Sequence, residues 1–215
     1  MEKLYIGKER VTDRDIEVAT WIAEQGCARL DTIGNVLINM GSNLEARRLR
    51  SLALRWEKLG LVKRGKLLAK VPLILWTTKQ SLKLAGLPNQ SKQGYKPSFT
   101  TLHHQLAVSH IRTEYEKHGA KWLSEAKLRM DNVGHLPDGI ASFNLQKIIV
   151  EVDRTEKSGT RLEKIMIENA IASGEGLVDY WVTPEMYNFA DSHRLKLPGN
   201  LTSKIRIFKI PKEVL

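Results

Sequence analysis

The stretch Ser42–Lys66, SNLEARRLRSLALRWEKLGLVKRGK, decides how the first half of the chain is read. Leu49, Leu52, Ala53, Trp56 and Leu59 recur at i, i+3, i+4, i+7 and i+10, which is one apolar stripe along a helix. The same helix carries Arg47, Arg48, Arg50, Arg55 and Lys58. Ser42 and Glu45 precede it with the spacing of a capping box, in which each side chain satisfies a free backbone N–H of the other residue. Gly60 stops the helix. Leu61–Lys63 then reads as a strand, Arg64-Gly65-Lys66 as the start of a turn, and Leu73–Thr77 as the return strand.

Upstream, Thr12 caps a helix expected from Asp13 to Gln25, with Ile16, Ala19, Ile22 and Ala23 on one face and Gly26 as the stop. A second short helix is expected from Arg29 to about Val36. Helix, helix, basic helix and basic hairpin is the order of a winged helix-turn-helix domain. There the third helix enters the major groove and the hairpin lies on the flanking backbone. Double-stranded DNA is therefore the expected partner. It would be held by Arg47, Arg48, Arg50 and Arg55 on the helix, and by Lys63, Arg64, Lys66 and Lys70 on the wing. Arginine suits the task because its guanidinium forks onto phosphate or guanine. The alternative is an ordinary helical domain whose arginines face water.

Charge supports the first reading. The 215-residue chain has a net charge of +10. Residues 1–100 carry 18 Lys and Arg against nine Asp and Glu, whereas residues 101–215 carry 16 against 15. The excess is a property of the first half, as expected where condensed counterions are to be released from a polyanion. The lone cysteine, Cys27, excludes an internal disulfide and a cysteine zinc cluster. With no apolar leader at the N-terminus and no membrane-length apolar run, a cytoplasmic location without a membrane partner is expected. The polar stretch Gly86–Ser98 lacks periodicity and places the boundary. It gives a DNA-binding domain over 1–86, a linker over 87–100 and a second domain over 101–215.

The second half reads as a helix over Thr101–His118, strands over Lys121–Leu128, Gly139–Phe143 and Lys147–Val152, a helix over Thr160–Ser173 and a strand over Val178–Thr183. This α-β-β-β-α-β order makes the whole chain an α+β protein. Within it lie Pro137-Asp138 and, further on, Glu151-Val152-Asp153. Residues two apart on a strand share a face, so Glu151 and Asp153 project together and Asp138 can converge on them. Clustered carboxylates suit Mg²⁺ or Mn²⁺, which polarises a phosphodiester and acidifies bound water. The alternatives are that Asp138 is a turn residue and that Glu151 and Asp153 pair with Lys157, Arg154 or Arg161.

The Pro-Asp…Glu-x-Asp spacing in this element order resembles the PD-(D/E)xK nuclease superfamily. More narrowly, the chain resembles the replication-relaxation family of plasmids and other mobile elements. The likeness covers about residues 12–185. It rests on the N-terminal basic domain, the helix near His103-His104, Trp122-Leu123-Ser124-Glu125, Pro137-Asp138-Gly139, and Glu151-Val152-Asp153-Arg154 followed by a helix. The resemblance implies a role in replication, transfer or maintenance of mobile-element DNA, with a restriction-endonuclease-like second domain. The superfamily motif places Lys where this chain has Asp153, so Lys164 is the expected auxiliary cation beside Asp138, Glu151 and Asp153. Three readings stay open: a DNA-binding protein with an inactive nuclease fold, a Mg²⁺- or Mn²⁺-dependent endonuclease, and a winged-helix transcription regulator. A homodimer and other replication or transfer proteins are further partners left open.

Overall fold

The computed structural model describes residues 5–6, 8–42, 44–67, 72–87, 96–131, 136–144 and 146–214. The chain forms a mixed α+β structure in two compact units, Met1–Thr113 and Glu114–Leu215. The expected linker residues 88–95 and wing residue Lys70 lie outside the described residues.

The first unit begins with a short antiparallel pair, β1 (Tyr5–Ile6) and β2 (Glu9–Arg10). It continues through α1 (Asp13–Gln25), β3 (Cys27–Arg29), α2 (Leu30–Asn39), α3 (Ala46–Lys58), β4 (Val62–Gly65), β5 (Ile74–Thr77) and α4 (Lys79–Leu84). Helix α5 (Phe99–Lys117) belongs to this unit as far as Thr113. Strands β3, β5 and β4 form an antiparallel sheet with β5 in the centre.

Helix α1 has the bounds read from the sequence. Thr12 and Asp15 form its capping box, and Gly26 ends it at φ 81°, a conformation that favours glycine. The capping box expected of Ser42 and Glu45 is absent. Glu45 is the N-cap of α3 without a side-chain bond, while the Ser42 N–H donates to Leu37 O at 2.7 Å. Ser42 thus closes α2 instead of opening α3. Helix α2 starts one residue later than expected because Arg29 completes β3, opposite Ile74. Leu102 and Leu106 of α5 pack with Cys27 and Ile74. Arg112, also of α5, pairs with Glu24 at 3.0 Å and lies over the Trp21 ring. These contacts make the first turns of α5 part of this core.

Asp15 ties the helices of the unit together. Its side chain is fully buried. Arg55 Nη1 donates to Oδ2 at 2.6 Å, Trp56 Nε1 to Oδ1 at 2.8 Å, and the Thr12 N–H to Oδ2 at 2.8 Å. Arg55 Nη2 also donates to Arg10 O at 2.6 Å. Burial by itself would raise the Asp15 carboxyl, but the bonds from Arg55, Thr12 and Trp56 outweigh it and hold the group below its ordinary value. Around this point Val18, Ile22, Ile33, Leu37, Leu49, Ala53 and Trp56 close a single core.

The second unit contains β6 (Lys121–Ser124), α6 (Glu125–Asp131), β7 (Gly139–Phe143), β8 (Gln146–Asp153), α7 (Gly159–Ala172) and β9 (Leu177–Val182). A 3-10 turn (Pro184–Met186), α8 (Tyr187–Arg194), α9 (Gly199–Thr202), β10 (Ile205–Lys209) and a last 3-10 turn (Lys212–Val214) follow. The five strands form one mixed sheet in the order β10-β9-β8-β7-β6, antiparallel from β6 to β8 and parallel from β8 to β10. The strand expected over Lys121–Leu128 stops at Ser124. Ser124 Oγ accepts the Lys127 N–H, so the chain turns into α6 and Glu125 sits on a helix paired with Arg129. On one face of the sheet, Leu162, Ile165, Met166 and Ala170 of α7 pack on Ile149, Val178, Tyr180 and Val182. On the strands, Asp179 receives Arg206 through Nε at 2.7 Å and Nη2 at 2.8 Å, and the Tyr115 hydroxyl at 2.5 Å.

Replacing Asp15 with alanine orphans Trp56 Nε1 and leaves Arg55 without its counter-charge. A loss of about 3 kcal/mol is expected, read as a lower urea midpoint. The depressed pKa also fixes the pH dependence. The stabilisation is complete above the ordinary value of 3.8 and is lost as pH falls through the lower folded value. The alanine variant should lack that acid-dependent component.

Candidate functional site

The charged residues expected to form a site fall into two clusters, one in each unit. The first lies on α3. Its apolar stripe (Leu49, Ala53, Trp56) is buried, which leaves Arg47, Arg50, Leu54 and Lys58 at i, i+3, i+7 and i+11 on the outward face. Arg47, Arg48 and Arg50 are exposed, and no ion pair among the described residues involves them. Arg55, expected to join them, is turned to Asp15 and Arg10 O and serves the core. On the hairpin, Lys63 and Lys66 are exposed. Arg64 is half-buried and donates from Nε to Glu57 Oε2 at 2.6 Å. The exposed cations of α3 are therefore Arg47, Arg48, Arg50 and Lys58, with Leu54 as an exposed apolar residue among them, and those of the hairpin segment are Lys63 and Lys66.

The second cluster lies at the end of β8. The register pairs Gly139 with Val150 and Glu151 with Tyr180, and continuing it by one residue sets Asp138 opposite Glu151. Asp138 is more than a turn residue. Its Oδ2 accepts the Val152 N–H at 2.8 Å, extending the β7–β8 ladder through a side chain. Gly139 beside it lies under the Trp122 ring, where a Cβ would approach Cζ2 to 2.0 Å. Glu151 is buried and accepts from Asn169 Nδ2 at 3.0 Å. Asp153 is buried, with Lys157 Nζ 2.6 Å from Oδ1 and 2.8 Å from Oδ2.

All three carboxylates act on Tyr180. That side chain is fully buried, and its hydroxyl has no hydrogen-bond partner among the described residues. Burial first, then the negative charge of Glu151, Asp153 and Asp138, pushes the phenol far above its ordinary value, so it stays a neutral donor. The expected cation Lys164 is not at this cluster. It lies on the outward side of α7, 3.8 Å from Glu168, because Leu162, Ile165, Met166 and Asn169 take the inward side. Lys157 occupies the position instead, since the loop after β8 brings it back onto Asp153. The sequence offered it only as an ion-pair partner, and its spacing of four residues from Asp153 was the available signal.

Oxygen ligands of this type suit a hard divalent cation in chemistry, but their placement does not. Among the described residues, no three His, Cys, Asp or Glu side chains are arranged to hold a metal ion. The donors that a cation would replace are already protein groups: Val152 N–H, Asn169 and Lys157. Elsewhere, burial pushes the Cys27 thiol up to about 12, and its Sγ donates to Gln105 Oε1 at 3.4 Å, so it is an unreactive core residue. No helix among the described residues is long and apolar enough to cross a membrane.

A hydroxyl buried without a partner is a cost that Tyr180→Phe removes. The variant should be more stable by about 1–2 kcal/mol, measured as a rise in chemical-denaturation midpoint. A fall would show that the hydroxyl has a partner in solution. No protein family, curated protein or solved structure matched the chain.

Proposed function

We propose that the chain is a double-stranded DNA-binding protein that presents α3 to the major groove and the β4–β5 hairpin to the flanking backbone, as a winged helix does. One observation carries this reading: Arg47, Arg48 and Arg50 stand exposed on a single helix, and none of them forms an ion pair among the described residues. Guanidinium groups left unpaired by the protein keep their full charge for phosphate and their fork for guanine. The helix that carries them is rigid because its other side is locked into the core through Trp56 and Arg55. Leu54 among them suits contact with a thymine methyl. The replication-relaxation resemblance supplies the setting of this reading, the replication, transfer or maintenance of plasmid or other mobile-element DNA in the cytoplasm.

In this proposal the second unit is a nuclease-like fold without cleavage activity. Its element order, β-α-β-β-α-β followed by two short helices and a further parallel strand, differs from the expected α-β-β-β-α-β by the helix α6 after the first strand and keeps its β-β-α-β part. The pairing of Asp138, Glu151 and Asp153 within the protein supports the absence of cleavage. A second reading, a Mg²⁺- or Mn²⁺-dependent endonuclease, is favoured by the convergence of those three carboxylates on Tyr180. A cation would first have to displace Lys157 from Asp153.

Two measurements test these readings. Fluorescence anisotropy with a labelled duplex should show tight, salt-sensitive binding that falls at least about 100-fold when Arg47, Arg48 and Arg50 all become alanine, with a log–log salt slope flatter by about two to three units. Unchanged affinity in that variant removes the DNA reading. Supercoiled plasmid incubated with the protein and Mn²⁺ should remain intact. Nicking that disappears in Asp138→Ala establishes the endonuclease reading in its place.

A further inference from the structure

A concavity of about 470 Å³ lies in the first unit, between the start of α1 and one flank of α3. Arg48, Ser51, Leu52 and Arg55 line it at i, i+3, i+4 and i+7 of α3. This flank adjoins the outward face that carries Arg47 and Arg50. Arg14 of α1 and Ser42 complete the polar lining, and among the described residues no carboxylate belongs to it.

We propose that this concavity is a phosphate-binding pocket, taking either a backbone phosphate of DNA or the phosphate groups of a small phosphorylated ligand. Three arginines, Arg14, Arg48 and Arg55, line one space. Asp15 offsets the charge of Arg55, whereas Arg14 and Arg48 have no ion-pair partner among the described residues. The pocket therefore carries two uncompensated positive charges, which match a phosphate dianion. Arg14 Nε is shut off from solvent and lacks a hydrogen-bond partner among the described residues. The planar fork of N–H donors on an arginine meets two oxygens of an oxyanion held in its plane. Arg55 is fixed in advance by Asp15 Oδ2 and Arg10 O, each at 2.6 Å, so little side-chain entropy is lost when an anion arrives. Leu52 supplies an apolar wall, and the volume lies within the range of small-molecule sites. A nucleotide thus fits as readily as one phosphodiester of a duplex. The proposal rests on the DNA reading only for the choice between those two sources.

The test uses the intact chain and three probes: inorganic pyrophosphate and ATP by calorimetry, and a labelled 20-base-pair duplex by anisotropy. Arg14→Ala is compared with the natural chain and with the Arg47→Ala/Arg50→Ala double variant. Arg14→Ala should weaken at least one class of probe about tenfold, and for the duplex it should flatten the salt slope by about one unit irrespective of sequence. Loss confined to the duplex identifies a backbone phosphate as the occupant. Loss confined to ATP and pyrophosphate identifies a free phosphorylated ligand, and the DNA reading is then judged separately on the double variant. Full affinity of Arg14→Ala for all three probes overturns the proposal. Should Arg14→Ala lower the melting temperature, Arg14→Lys carries the test. It keeps the charge without the fork and should bind about threefold more weakly; affinity equal to the natural chain again overturns the proposal.

Discussion

The fully buried carboxylate of Asp15 is the constraint on which the first unit depends. It caps its own helix through Thr12 and receives both Arg55 and Trp56 from α3. A charge taken from water into a core is costly unless each of its lone pairs finds a donor. Here the donors arrive from three positions, and the geometry that satisfies them leaves only one arrangement of α1 against α3. The placement of the other arginines on α3 follows. With Trp56 inward and Arg55 drawn to Asp15, helical periodicity turns Arg47 and Arg50 to the opposite side. The exposed positive face is in this sense a consequence of the buried negative group.

The second unit handles charge in the opposite way. Four of its carboxylates are taken up internally: Asp138 by a strand N–H, Glu151 by Asn169, Asp153 by Lys157 and Asp179 by Arg206 and Tyr115. Such groups contribute to the order of the sheet and to its register. The exposed arginines of α3 and the paired acidic sheet end thus differ in how much of their charge is taken up within the protein. Tyr180 is the exception within that order, since its buried hydroxyl feels the charge of Glu151, Asp153 and Asp138 and has no hydrogen-bond partner among the described residues.

Much of the architecture was legible in the sequence because its signals are local. The Thr12 cap and Gly26 marked the bounds of α1, the 3.6-residue stripe marked α3, and Gly139–Phe143 marked β7 at its observed ends. The misreadings also have local causes. Ser42 and Glu45 have the spacing of a capping box, yet the Ser42 N–H was already committed to the end of α2. Lys121–Leu128 has the composition of a strand, but Ser124 caps a helix within it. Lys164 stands close enough in sequence to serve the acidic cluster, and the phase of α7 directs it away.

The sequence by itself determined that the chain is basic in its first half and nearly neutral in its second. It also determined the principal helices α1, α3 and α7 and the strands β7 to β9, and that Glu151 and Asp153 share one face of a strand. Composition and short-range periodicity are sufficient for such properties. Only the tertiary structure decided which of these charges remain available. An ion pair between Arg55 and Asp15, 40 residues apart, or between Asp179 and Arg206, depends on packing that no local pattern encodes. The same packing separates Arg47, Arg48 and Arg50, which stay exposed, from Arg55, which does not. It also set Lys157 rather than Lys164 on Asp153, because the phase of a helix and the path of a loop, not distance along the chain, fix where an ammonium group can reach.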